Sequence, residues 1–372
     1  MDCEKALKTA KHIESLLHKG YSKEKVKEEV QPFSEESFSI AKAMIKNRRT
    51  GKIPQEFIFT EEDLMYATNS LVAKYRAKVL SCNSIVETGC GIGIQSIEFS
   101  RACKKVISID KDARKIEYAK YNSKISNAKN IAFICSDAIQ ALSKISSADI
   151  MFWDPERPRS ETERSLGSLS PSFNDFMKNA RKITKNICIE LPPQIKSQIP
   201  KGCELEYISI NNQLNRLNAY FGSLKTCSHS AISLPSENKI KNTGKKSKPN
   251  EVSIKDYIYE LDDSIIKANI LPNLCSQLKS SGICKIGSKI CLTSKIMLSS
   301  PFLKAYEVLG NPVKDNLTSF LVSKNIGKVI LHGSIKENDY WNIKNSIEKE
   351  IKGTTTAHLF FLKDSVIVAL KR

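Results

Sequence analysis

The chain has 372 residues, 41% of them apolar and 26% charged, a balance that suits folded domains and excludes a disordered chain. Its length fits two or three domains of roughly 100–200 residues each, and no apolar run approaches the ~18 residues that cross a bilayer. Fifty-eight Lys and Arg against 40 Asp and Glu give a formal net charge of +18, a balance that favours a polyanionic partner such as nucleic acid over an acidic surface of its own.

In chain order, residues 1–80 are expected to be a helical N-terminal region. Ala6, Leu7, Ala10, Ile13, Leu16 and Leu17 recur at helical spacing, and Ser34 to Ser37 precede a second such segment, Phe38 to Ile45. Thr60 reads as an N-cap with Asp63 at the third helical position, opening one helix from Glu61 to Leu80. From Ser84 short apolar strands alternate with amphipathic helices. The strands are Ser84–Glu87, Val106–Asp110, Ile131–Cys135, Ala148–Trp153 and Asn186–Glu190, and the clearest helices are Ile94–Cys103 and Asp112–Ser126. That alternation predicts a Rossmann-like α/β domain with a parallel sheet over residues 81–235. Cys203–Ile210 and Gln213–Phe221 stand too close for a crossover helix and are expected to add an antiparallel pair, for seven strands in all. Residues 236–250, with Lys239, Lys241, Lys245, Lys246 and Lys248 around a single apolar Ile240, read as a basic linker, either a solvated tether or an RNA-backbone contact. Residues 251–372 resume mixed patterning in a smaller α/β domain that closes on a hairpin, His358–Leu362 with Ser365–Leu370.

The eleven cysteines are odd in number and include no Cys-x-x-Cys, and the five histidines are isolated from one another. Buried free thiols in a reducing compartment explain this better than disulfides or a zinc site, so a cytoplasmic protein without a metal is expected. The N-terminus shows no secretory signal pattern.

The segment with the most chemistry in it is Glu87-Thr88-Gly89-Cys90-Gly91-Ile92-Gly93, directly after the first strand and before a helix. Glycines there let the backbone turn tightly and approach a ligand at the carboxyl end of the sheet. A dinucleotide site would show Gly-x-Gly-x-x-Gly, whereas here the third glycine is Gly93 and Ile94 follows. Glu87 beside the loop is awkward for a pyrophosphate and suited to an ammonium or sulfonium. A cationic, phosphate-free cofactor is expected, and S-adenosyl-L-methionine meets both conditions. Asp110, ending the second strand, can accept from ribose hydroxyls, and Asp137, after the third, from an adenine amino group.

Together these residues resemble a class I S-adenosylmethionine-dependent methyltransferase. Thr60–Arg76 followed by Glu87–Asp110 is similar to the trimethylguanosine synthase (RNA guanine-N2 methyltransferase) branch. A wider resemblance, through Phe59 to Thr68, Val72 to Ala77, Asp154 to Pro158, Ser170-Pro171 and, more diffusely, Tyr257–Ala268, Leu292 to Ser294 and Pro301–Val308, is to prokaryotic methyltransferases with a THUMP-like C-terminal domain. The resemblance implies cofactor binding by Thr60, Glu87, Gly89, Gly91, Gly93, Asp110, Lys111, Asp137 and Asp154, and an RNA substrate, tRNA or rRNA.

The acceptor site in this fold follows the fourth strand, here Trp153-Asp154-Pro155-Glu156-Arg157-Pro158-Arg159. Relatives that methylate exocyclic amines carry Asp/Asn-Pro-Pro-aromatic. Asp154 and Pro155 are kept, whereas Glu156 and Arg157 replace the second proline and the ring. Asp154, Pro155 and Glu156 are the expected catalytic residues, with Asp154 accepting a hydrogen bond from the amine. Trp153, Arg157 and Arg159 are expected to bind substrate, Trp153 as a base platform unless strand periodicity places it in the core. Arg157, Arg159 and Arg164 concentrate guanidinium groups in a chain with eleven arginines in all. The expectation is methyl transfer to an RNA nucleobase nitrogen. The alternatives are methylation of a small molecule or protein, and a non-catalytic RNA-binding protein retaining the fold.

Overall fold

The computed structural model describes residues 2–156, 158, 164–195, 199–244, 249–278, 282–333 and 335–372. Helices open the chain: α1 (Cys3–His18), α2 (Lys23–Glu29), α3 (Glu35–Thr50), α4 (Glu61–Tyr66) and α5 (Ser70–Val79). Side-chain N-caps start each of them, from Asp2, Ser22, Ser34, Thr60 and Asn69, and α3 stops at Gly51 in the left-handed region. The single helix expected from Glu61 to Leu80 is thus two. Ala67 turns extended and the Asn69 side chain accepts from the Leu71 amide, which restarts the helix. The apolar faces of α1, α3 and the Ile53–Leu64 stretch bury Ile13, Ile40, Phe57, Ile58 and Phe59 in one cluster with Ile94, Ile97 and Tyr118.

The alternating segment follows as β1 (Ser84–Thr88), α6 (Ile94–Ala102), β2 (Lys105–Asp110), α7 (Ala113–Ile125), β3 (Ile131–Cys135), α8 (Ala138–Leu142), β4 (Ile150–Trp153), α9 (Phe173–Ile183) and β5 (Ile187–Leu191). Then come β6 (Glu204–Ile210), β7 (Gln213–Tyr220), β8 (His229–Leu234) and β9 (Asn238–Lys241). Strands β3, β2, β1, β4 and β5 pair in parallel in that spatial order, and β7 adds antiparallel to β5. The sheet runs β3-β2-β1-β4-β5-β7-β6-β8-β9 and has nine strands, not the seven expected. The extra pair is a hairpin whose second strand, β9, lies inside the stretch expected to be a linker. Ile240 is buried there and pairs with Ala231, so one apolar residue among lysines suffices to seat an edge strand.

The rest of the chain forms β10 (Tyr257–Leu261), α10 (Asp263–Lys267), α11 (Leu271–Leu278), β11 (Gly282–Ile286), β12 (Lys289–Ser294), β13 (Leu303–Gly310), α12 (Leu317–Ser323), β14 (Ile326–His332), α13 (Glu337–Glu350), β15 (Thr355–Phe361) and β16 (Val366–Lys371). Its seven-stranded sheet has the order β11-β12-β10-β13-β16-β15-β14, antiparallel except for β14 with β15. Two compact units result: Met1–Glu206 with Arg216–Ser228, and Tyr207–Asn215 with His229–Arg372. Among the described residues no helix is long and apolar enough to cross a membrane.

Candidate active site

The site sits at the carboxyl ends of β1, β2, β3 and β4. The chain leaves β1 through Gly89, Gly91 and Gly93, which all take positive φ, at 78°, 53° and 86°. The amides of Gly89 and Cys90 both donate to the Ile109 carbonyl, at 2.8 and 3.1 Å, folding the loop back over the end of β2. Asp110 holds it there: its Oδ2 accepts from the Gly91 amide at 2.8 Å and its Oδ1 from the Asp112 amide at 3.0 Å. A carboxylate oxygen has two lone pairs, so each can still accept from a ligand hydroxyl. Gly93 ends the loop and starts α6 with no side-chain cap, leaving the first amides of that helix to the loop side.

Beyond the loop opens a cleft lined by Gly89, Asp110, Lys111, Asp137, Asp154 and Glu156 among others. Four of these six are carboxylates. Lys111, the one cation among the described lining residues, is paired with Glu156, Nζ to Oε2 at 2.6 Å, and that pairing holds the ammonium pKa above its usual value. Lys111 follows β2 and Glu156 follows β4, so the pair passes over the end of β1, which lies between them. A cleft with this lining favours a cationic, hydroxyl-bearing ligand and disfavours a pyrophosphate.

Residues 82–224 match the family model described as RNA cap guanine-N2 methyltransferase. An uncharacterized RNA methyltransferase of Gloeobacter violaceus is 32% identical over 80 residues, which is 22% of this chain and 17% of that protein's length. A crystal structure from Porphyromonas gingivalis, described as a methyltransferase, superposes with a TM-score of 0.74 at 15% identity, over 100% of this chain and 99% of that one. Over residues 82–224 the chain is thus similar to a methyltransferase domain, and it spans about a sixth of the length of that curated relative.

The fold brings several of the expected site residues together and sets others apart. Gly89, Asp110, Lys111, Asp137, Asp154 and Glu156 line the cleft, and Pro155 lies buried between the last two. Asp137 also caps α8, its Oδ1 accepting from the Ile139 and Gln140 amides. Glu87 is behind the loop instead of facing the cleft. It is buried, accepts from the Ser96 and Ser108 hydroxyls, and burial pushes its pKa up to about 7. Gly91 and Gly93 shape the loop and do not line the cleft.

Thr60 is likewise away from the cleft. Its hydroxyl and amide close a capping box with Asp63, whose carboxylate takes both guanidinium nitrogens of Arg114, at 2.8 and 3.1 Å. Its role is to fix the start of α4. Trp153 is not a base platform. It borders the cleft but is 1% exposed, because its indole stacks on Phe176 of α9 at 3.9 Å and 16°. The strand places that side chain on the face that α9 covers. Arg157 and Arg159 lie outside the described residues, so of the arginine cluster only Arg164 is placed, half-buried.

Sequence reasoning missed a buried charge network beside Asp154. Arg76 on α5 is 0% exposed and pairs with Glu190 at the end of β5, which also meets Arg216 Nε at 2.7 Å. The signal was legible: Arg76 falls on the apolar helix face with Val72 and Ala73, and Glu190 interrupts the apolar strand Ile187-Cys188-Ile189. A charge at a core position calls for a partner charge.

Proposed function

We propose that the protein transfers a methyl group from S-adenosyl-L-methionine to a nucleobase nitrogen of RNA, tRNA or rRNA, with Asp154 accepting from the amine that is methylated. The observation that carries the reading is the coincidence of the RNA cap guanine-N2 methyltransferase model, over residues 82–224, with an acid-lined cleft at the ends of β1, β2, β3 and β4. Asp110 would hold the ribose hydroxyls and Asp137 the adenine edge. Gly89 would bring main chain against the amino-acid part, at a point where a side chain has no room. When bound, the cofactor supplies an electrophilic methyl carbon on a cationic sulfur.

The chain's own task is then positioning and proton handling. An acceptor nitrogen must sit about 3–3.5 Å from that carbon. Asp154, anchored by its amide to the Thr88 carbonyl at 3.0 Å, stands at the β1–β4 seam where such an amine would lie. Its carboxylate accepts an N–H, offsets the positive charge that develops on nitrogen, and can take the proton that leaves. Guanine N2 is the acceptor this reading favours, since it is an exocyclic amine and the family model is of that chemistry. The C-terminal unit, THUMP-like by resemblance, would supply RNA-backbone contacts, in keeping with the net charge of +18.

Incubating the protein with labelled S-adenosyl-L-methionine and total RNA, followed by nucleoside mass spectrometry, tests the reading. A methylated nucleoside formed by the wild type and lost at least a hundredfold in Asp154→Ala, with cofactor affinity retained, supports it. Calorimetry showing no affinity for the cofactor overturns it.

A further inference from the structure

Strand register places a row of polar side chains beside Asp154. β4 and β5 pair Phe152 with Cys188 and Trp153 with Ile189, so the next step sets Asp154 beside Glu190. β5 and β7 pair Cys188 with Tyr220 and Glu190 with Asn218. Register partners, and residues two positions apart, share one face of a sheet. Asp154, Glu190 and Asn218 therefore form one row across three strands, and Phe152, Cys188 and Tyr220 form the row behind it.

Arg76 reaches onto this face from α5. Its guanidinium carbon stands 4.6 Å from the centre of the Phe152 ring. Nη1 donates to Gln95 Oε1 at 2.9 Å, and Nη2 donates to Asn218 Oδ1 at 3.0 Å and to the Glu190 carboxylate. Burial alone would depress the guanidinium pKa, but the charges of Glu190 and Asp154 hold it above its usual value. One side chain thus joins α5, α6, β4, β5 and β7 at the end of the sheet where the cleft opens.

Stability alone is a poor reason for this arrangement. A buried ion pair gives little over apolar side chains of equal volume, since both charges lose their hydration. Its specific effect is electrostatic and geometric. Two carboxylates side by side on adjacent strands repel, and one takes up a proton unless a cation lies between them and the interior. We propose that Arg76 is a positioning residue for Asp154: through Glu190, Asn218 and the Phe152 ring it fixes the ends of β4 and β5 so that Asp154 meets the acceptor amine as an oriented carboxylate.

The proposal rests on the methyl-transfer reading, and the test separates the two. Wild type, Arg76→Lys and Arg76→Met are compared for cofactor affinity by calorimetry, for kcat and KM on total RNA, and for amide hydrogen exchange at Trp153 and Asp154. Arg76→Lys keeps the charge and loses the fork that grips three acceptors. It should fold, keep cofactor affinity within threefold, lower kcat at least tenfold with KM little changed, and speed exchange at Asp154. Arg76→Met should lose a further tenfold in kcat, or fail to fold, in which case Arg76→Lys decides alone. A lysine variant with wild-type kcat overturns the positioning role while leaving methyl transfer standing. If the wild type binds the cofactor and methylates no RNA, the functional reading falls instead. Amide exchange then decides the positioning role, and unchanged protection at Asp154 overturns it.

Discussion

The main-chain oxygen of Asp154 lies 2.2 Å from the point where a β-carbon on Gly89 would stand. Two strand ends, β1 and β4, approach so closely there that only a residue without a side chain fits. Gly89 also takes φ +78°, so Gly89→Ala meets both a collision with backbone and an unfavourable conformation. Gly91, at φ +53°, has open space around it. Gly89→Ala should therefore cost roughly 3 kcal/mol or more, and Gly91→Ala only about 1–2 kcal/mol. Chemical unfolding of the two variants checks the difference, and Gly89→Ala should also abolish cofactor binding by displacing Asp154.

Trp153 offers a second discrimination. Its stacking on Phe176 makes it part of the packing between β4 and α9, so Trp153→Ala should lose about 3–5 kcal/mol of stability. Trp153→Phe retains a ring against Phe176 and should lose less, with KM for RNA within twofold of wild type. A base platform would behave the other way, with KM raised severalfold and stability barely changed. Thermal melts beside RNA kinetics distinguish the outcomes.

What the sequence made legible follows from how local each signal is. The loop from Gly89 to Gly93, the strand-end acids Asp110 and Asp137 and the helix expected over Asp112–Ser126 are set by near neighbours, and each occupies the element its spacing indicates. Glu87 misled because position along a strand does not reveal which face a side chain takes. It points inward to Ser96 and Ser108, not outward to a ligand. Thr60 and Asp63 are a local capping box, and the sequence pattern for that is the same wherever the helix lies. The extra strands β8 and β9 depend on pairing across the chain, which a lysine-rich stretch with one buried Ile240 signals weakly. Periodicity marks Arg76 and Glu190 as charges at core positions, but the partners in this network stand more than a hundred positions from Arg76, so the pattern does not say which residues meet.

The protonation of Glu87 gives a pH-dependent prediction. Burial raises its pKa to about 7 from an ordinary 4.5. Between those values the folded protein holds a proton that the unfolded chain has released, so stability falls as pH rises from about 4.5 to 7. The full effect is about 3 kcal/mol for a shift of that size, and it is present in full below pH 4.5. Glu87→Gln keeps the side-chain shape and cannot ionise. Its unfolding free energy should lack this slope, which urea titrations at pH 5 and pH 8 would measure.

The C-terminal unit should respond to pH with the opposite sign. His332 Nε2 and His358 Nδ1 are 2.7 Å apart, within hydrogen-bond reach. Glu260 accepts from Tyr306 and faces His332 Nδ1 at 3.5 Å. Burial first, then the charges of His332 and Lys371, push His358 down to about 4. A depressed base binds fewer protons folded than unfolded, so stability rises with pH across the window from about 4 to 6.5 and is lost on acidification through it. Glu260, held near 2 chiefly by its hydrogen bond to His332, releases its share only below that window. The transition of this unit should shift to lower temperature by several degrees between pH 7 and pH 5, and His358→Gln should abolish most of that shift. Amide exchange at β14 and β15 followed across the same range would locate the loss in this unit, and exchange that quickened equally in β1 and β4 would contradict it.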